Sequence, residues 1–90
     1  MFVLVNYDFS TDDHKKAVCH LLKQYGFEEI LNDSYESRSI GENSLSKLKL
    51  DIDRITDSYD IIRFYQYPVE NTLVITTLKE KKWRRSKIII

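Results

Sequence analysis

The stretch Met1-Phe2-Val3-Leu4-Val5-Asn6-Tyr7-Asp8-Phe9-Ser10 decides the fold. As a strand it turns Val3, Val5 and Tyr7 to one side and Phe2, Leu4, Asn6 and Asp8 to the other, so both faces are apolar as far as Asn6. A strand apolar on both faces belongs in the middle of a sheet. It ends on a lone carboxylate, Asp8, and passes through Phe9 and Ser10 into a helix-start signal. Asp8 therefore falls at the carboxyl end of a buried strand, where ligands and chemistry often gather.

Outward from this strand, Ser10, Thr11, Asp12 and Asp13 supply an N-cap and acids that complement the positive end of a helix. His14, Ala17, Val18, Leu21, Leu22 and Tyr25 then recur at helical spacing, and Gly26 ends the run. Phe27 to Ser37 reads as a second strand region, whose polar middle, Asn32, Asp33 and Ser34, suggests an exposed face or a bulge. Leu45, Leu48, Ile52, Ile55 and Tyr59 predict a second helix, introduced by a loop over Ser39 to Ser44. Ile61 to Tyr67 forms a third apolar run, stopped by Pro68, and Thr72 to Leu78 is rich in β-branched residues, so the two predict a hairpin. A basic segment and Lys87-Ile88-Ile89-Ile90 follow.

This order fits an α+β fold, a ferredoxin-like βαββαβ-type sandwich spanning residues 1–90 as one domain. An antiparallel sheet would carry two helices on one face, with the last hairpin split by the topology. Residues 78–90 would add the basic segment and a short C-terminal strand. The helix-free face would expose Phe2, Leu4, Phe64 or Tyr65, a patch that marks an interface. Ile88, Ile89 and Ile90 would form a sticky edge that pairs with another chain. Both features predict a homodimer.

Ninety residues suffice for one domain with a modest core, and 42% apolar with 31% charged residues excludes a disordered tail as the main reading. No apolar run is long enough to span a membrane, and the amino terminus lacks a secretory signal, so a cytoplasmic protein without membrane partners is expected. The single cysteine, Cys19, cannot form an internal disulfide. The net charge of zero conceals an excess of acids before residue 61 and of bases after it. A basic carboxyl end favours an anionic partner or an acidic surface on another copy.

Several of these residues together resemble one family: Phe2 to Ser10 with the acidic helix start, Leu21-Leu22-Lys23-Gln24-Tyr25-Gly26-Phe27, Tyr35-Glu36, and Arg63-Phe64-Tyr65-Gln66-Tyr67-Pro68. This is the Cas-two family, the smaller of the two CRISPR adaptation proteins. The resemblance implies a ferredoxin-like homodimer whose sheets face each other, with both copies of Asp8 near the shared axis. It also implies a divalent-metal-dependent endonuclease acting on RNA or duplex DNA, and a bridge on which Cas-one integrase subunits assemble during spacer acquisition. The terminal strand, Ile88 to Ile90 here, would join the partner's sheet or dock the integrase. Two departures stand out. Glu29, Leu31 and Asp33 occupy strand-two positions where family members often carry arginine, glutamine and serine, and Gln66 is an extra residue before Tyr67-Pro68.

Asp8 is the candidate catalytic and metal-binding residue. Mg²⁺ needs only one or two carboxylates plus phosphate oxygens, so two copies of Asp8 at a dimer axis would meet the minimum. The competing reading makes Asp8 a cap for the N–H groups near Ser10 and Thr11. Lys79, Lys81, Lys82, Arg84, Arg85 and Lys87 cluster around Trp83 as candidate nucleic-acid contacts, the alternative being a solvated turn between strands four and five. His14, Cys19 and His20 do not share a helical face, which argues against zinc. No nucleophile elbow or glycine-rich phosphate loop is present. Two alternatives stay open: a stand-alone ribonuclease toxin resembling virulence-associated protein D, and a ferredoxin-like regulatory or interaction module.

Overall fold

The computed structural model describes residues 1–90 as β1 (Phe2–Asp8), α1 (Asp12–Gln24), β2 (Glu28–Leu31), β3 (Ser34–Ser37), α2 (Glu42–Ile55), β4 (Ile61–Tyr67), β5 (Thr72–Lys79) and β6 (Lys82–Ile89). The strands form one six-stranded antiparallel sheet in the order β2-β3-β1-β4-β5-β6. Its first four strands and two helices are the expected ferredoxin-like arrangement, with β1 central as its two apolar faces require.

Val3, Val5 and Tyr7 turn toward the helices and are buried, together with Val18 and Leu22 of α1 and Leu45, Leu48 and Ile52 of α2. Phe27, Tyr35, Ile40, Ile62, Phe64 and Leu78 complete this core. Removing these side chains from water supplies the main stabilisation of so small a chain. Thr11 caps α1 by accepting the His14 N–H at 3.1 Å, and Gly26, at φ +86°, closes its other end as expected.

The structure corrects four expectations. Residues 27–37 form a hairpin, because Asp33 takes the left-handed conformation (φ +63°) and reverses the chain. This hairpin supplies the second and third ferredoxin strands, so β4 and β5 remain neighbours and the last hairpin is not split. Phe64 pairs with Val5 and lies fully buried on the helix side, not on the open face. Tyr59 falls beyond α2 and is exposed, since Asp57 accepts the Tyr59 N–H at 2.8 Å and turns the chain out of the helix.

The basic segment is also strand and not a solvated turn. β6 starts at Lys82 and pairs with β5 of its own chain along its length, leaving its outer edge free. The turn is confined to Glu80 and Lys81, both at positive φ. The charge asymmetry of the sequence is thereby laid across the sheet, with Glu28 and Glu29 on the β2 edge and the basic residues on the β6 edge.

Candidate nucleic-acid and metal site on the open sheet face

Strand alternation sorts the helix-free face into two zones. One is apolar: Phe2 pairs with Tyr67, Leu4 with Tyr65, Tyr65 with Ile75, and Leu73 with Ile88. The other is charged, with Asn6, Arg63, Thr77 and Arg84 in one row across four strands. Asp8 lies beyond Asn6 on β1, and Lys79 and Lys82 face each other across the last two strands. Arg63 Nε donates to Thr77 Oγ1 at 3.0 Å, which holds the guanidinium along the sheet. Arg63, Thr77, Lys79 and Arg84 line a depression of about 510 Å³.

Asp8 is exposed at the end of β1. It is not the cap of the following turn. The Ser10 N–H donates instead to Asp60 Oδ1 at 2.8 Å, and the Thr11 hydroxyl accepts from His14. The strand-end carboxylate is thus left facing solvent on the sheet face that the helices do not cover.

A family model described as CRISPR associated protein Cas2 matches residues 1–86. The chain belongs to the Cas2 family. It is therefore a CRISPR-associated protein, and the match extends through β1 and Asp8 to most of β6. No curated protein matches the chain.

In this Cas2 chain the six predicted basic residues do not act as one cluster. Lys82 and Arg84 project to the open face with Lys79, whereas Arg85 and Lys87 alternate with them onto the helix side. Lys81 is engaged elsewhere. Its Nζ donates to the carbonyl and carboxylate of Asp53 and, at 3.1 Å, to the Thr56 carbonyl, tying the β5–β6 turn to the end of α2. Trp83 Nε1 donates to the other Asp53 oxygen at 3.0 Å. The Lys81 hydrogen bond, aided by that of Trp83, holds the Asp53 carboxyl below the usual carboxylate range despite partial burial. Ile88, Ile89 and Ile90 are exposed at the end of the free edge strand.

A second group escaped sequence reasoning. His14, Asp57 and Asp60 bring ligand-type atoms within 4.8 Å of one another, the geometry from which a metal site can be built. Asp60 is already satisfied without an ion. Its Oδ1 accepts the Ser10 N–H and hydroxyl at 2.8 and 2.9 Å, and its Oδ2 accepts His14 Nδ1–H at 2.7 Å and the Asp57 N–H at 2.9 Å. These four donors saturate the carboxylate and knot the β1–α1 and α2–β4 loops together. The partners lie far apart in sequence, so no spacing pattern announces them. Asp8, by contrast, is an exposed strand-end carboxylate whose oxygens face solvent.

Proposed function

We propose that this Cas2-family chain is a CRISPR adaptation protein acting as a homodimeric nucleic-acid-binding scaffold, with Mg²⁺-dependent endonuclease activity on RNA or duplex DNA centred on Asp8. The observation that carries this reading is the division of the open face into an apolar zone and a charged end that includes Asp8. Two copies packed through the apolar rows would bury Phe2, Leu4, Tyr65 and Ile75 and bring the charged ends together. Each chain contributes one available carboxylate, so pairing is what makes a divalent site adequate. Mg²⁺ held there would polarise a phosphoryl oxygen and lower the pKa of bound water. Arg63, Lys79, Lys82 and Arg84 would hold the phosphates beside it, as Arg is suited to do by its planar fork.

The free outer edge of β6 offers unpaired backbone groups, and Ile88, Ile89 and Ile90 offer exposed apolar side chains, to another chain, either the second copy or the Cas-one integrase. No helix is long and apolar enough to cross a membrane. In this reading the protein acts on nucleic acid in the cytoplasm.

The dimer is tested by Tyr65→Arg. Tyr65 faces away from the core, so the fold should persist while two like charges are forced into the apolar contact. Sedimentation equilibrium should show a dimer for the wild type and a monomer for the variant, with matching circular dichroism. A variant that stays dimeric, or a monomeric wild type, would overturn this arrangement.

A further inference from the structure

On the side of the sheet away from Asp8, β6 extends past the flank of α2 and leaves a cleft of about 420 Å³. Ser46, Lys49 and Leu50 line it from the helix, and Thr76, Trp83, Arg84 and Arg85 from the last two strands, the Arg84 side chain turning to the open face. Lys49 is held in place inside it. Its Nζ lies 5.3 Å from the centroid of the Phe64 ring and 5.8 Å from that of Trp83, and donates to Gln66 Oε1 at 2.6 Å. The Thr76 hydroxyl donates to the same oxygen at 2.9 Å. Gln66, the extra residue before Tyr67-Pro68, is thus turned inward as the acceptor that orients an ammonium.

The cleft is unbalanced in charge. No carboxylate lines it, and Asp53, which accepts from the lining Trp83 Nε1 at 3.0 Å, is also bound by Lys81. Burial first, and the positive charge of Arg85 second, lower the Lys49 pKa to about 8. Near neutral pH the partly buried Lys49 ammonium therefore sits beside the exposed Arg85 guanidinium, with no carboxylate among the lining residues. An apolar side chain would pack against Phe64 and Trp83 without that cost, so the ammonium calls for a function.

We propose that this cleft binds a phosphate monoester, with Lys49 and Arg85 as its charge partners, Ser46 as a hydroxyl donor and Gln66 orienting Lys49. A monoester carries roughly −1.5 to −2 charge near neutrality and three strong acceptor oxygens, which match two cations with several free donors. A carboxylate or a backbone phosphodiester carries a single charge and would leave one cation unmatched. The ligand is thus the terminal phosphate of a nucleic acid or a free mononucleotide. The site faces away from Asp8 and does not depend on the nuclease reading.

Trp83, the only tryptophan, reports on the cleft directly. Titrating the full chain with inorganic phosphate at about pH 7, with ionic strength held by chloride, should give a saturable change in its fluorescence. Lys49→Gln and Arg85→Gln should each weaken binding about tenfold or more, the scale of a lost charge-assisted contact. Lys47→Gln, which removes a charge from α2 outside the cleft, should not. Gln66→Glu would supply an internal counter-ion, so it should weaken phosphate binding while raising the thermal midpoint. Read at Trp83, a short oligonucleotide with a 5′-phosphate binding more tightly than both its 5′-hydroxyl counterpart and a mononucleotide places the source at nucleic-acid ends, and affinity no greater than the mononucleotide's places it with free nucleotides. No saturable response, or equal losses for Lys49→Gln and Lys47→Gln, would overturn the site.

Discussion

Replacing Asp60 by alanine should lower the unfolding free energy by about 3 kcal/mol, because it orphans donors gathered from three segments of the chain. Asp60 is 2% exposed and accepts from the Ser10 N–H and hydroxyl, from His14 Nδ1–H and from the Asp57 N–H. Each bond to a charged acceptor contributes about 1.5–3 kcal/mol, but water reaches some of the freed donors, so the total falls short of the sum. Asp57→Ala should cost about 1 kcal/mol, since that side chain is half exposed, stands 4.0 Å from His14 and loses only the solvent-exposed bond from the Tyr59 N–H. Urea unfolding midpoints separate the two.

The same carboxylate sets an acid limb. Burial alone would raise its pKa, but the hydrogen bonds from Ser10, Asp57 and His14 outweigh burial and hold it below the usual range. With the folded pKa below an unfolded value of about 3.9, the stabilisation is complete above roughly pH 5. It is lost as pH falls through the folded pKa. Asp60→Ala should therefore flatten the decline of stability at low pH as well as lower the plateau.

Duplex binding should be dominated by salt-sensitive phosphate contacts on the open face. If Arg63, Lys79, Lys82 and Arg84 each neutralise one phosphate, the logarithmic salt slope is about −3.6 per chain, and affinity falls about 100-fold between roughly 50 and 200 mM salt. Arg63→Gln combined with Arg84→Gln should reduce the magnitude of that slope by about 2 per chain. Lys81→Gln should leave the slope unchanged and cost about 1 kcal/mol of stability, because Lys81 serves Asp53 and the end of α2. A filter-binding series across salt concentrations reads all three proteins. An equal loss of slope in Lys81→Gln would contradict the sorting of charges by strand alternation.

Much of the fold is legible in the sequence because β1, α1 and α2 each bury a regular stripe. The β2–β3 hairpin is harder to read, since four-residue strands leave little alternation and the reversal rests on Asp33 at φ +63° without a glycine. β6 is hidden for a different reason. It extends past the helices, so Arg85 and Lys87 stay exposed on the helix side where an inner strand would show apolar residues. Its turn is equally disguised, because Glu80 and Lys81 adopt φ +54° and +61°, and the Lys81–Asp53 pair braces a conformation that asparagine or glycine would adopt more readily. Asp8 stands out as a strand-end carboxylate, yet its separation from Arg85 and Lys87 follows only once β6 is known to be a strand. The Asp60 knot and the Lys49–Gln66 contact join residues 17 to 50 positions apart, which local patterns do not encode.

The most direct test is Mg²⁺-titrated cleavage of single-stranded RNA and duplex DNA, run beside binding on wild type and Asp8→Ala prepared as matched dimers. Loss of an outer partner of a metal ligand already costs about 10–100-fold, so removing the ligand itself should lower cleavage at least about 100-fold. Nucleic-acid affinity should be unchanged. Equal cleavage by the two dimers, or Mg²⁺-independent cleavage by either, would contradict a metal centre at Asp8.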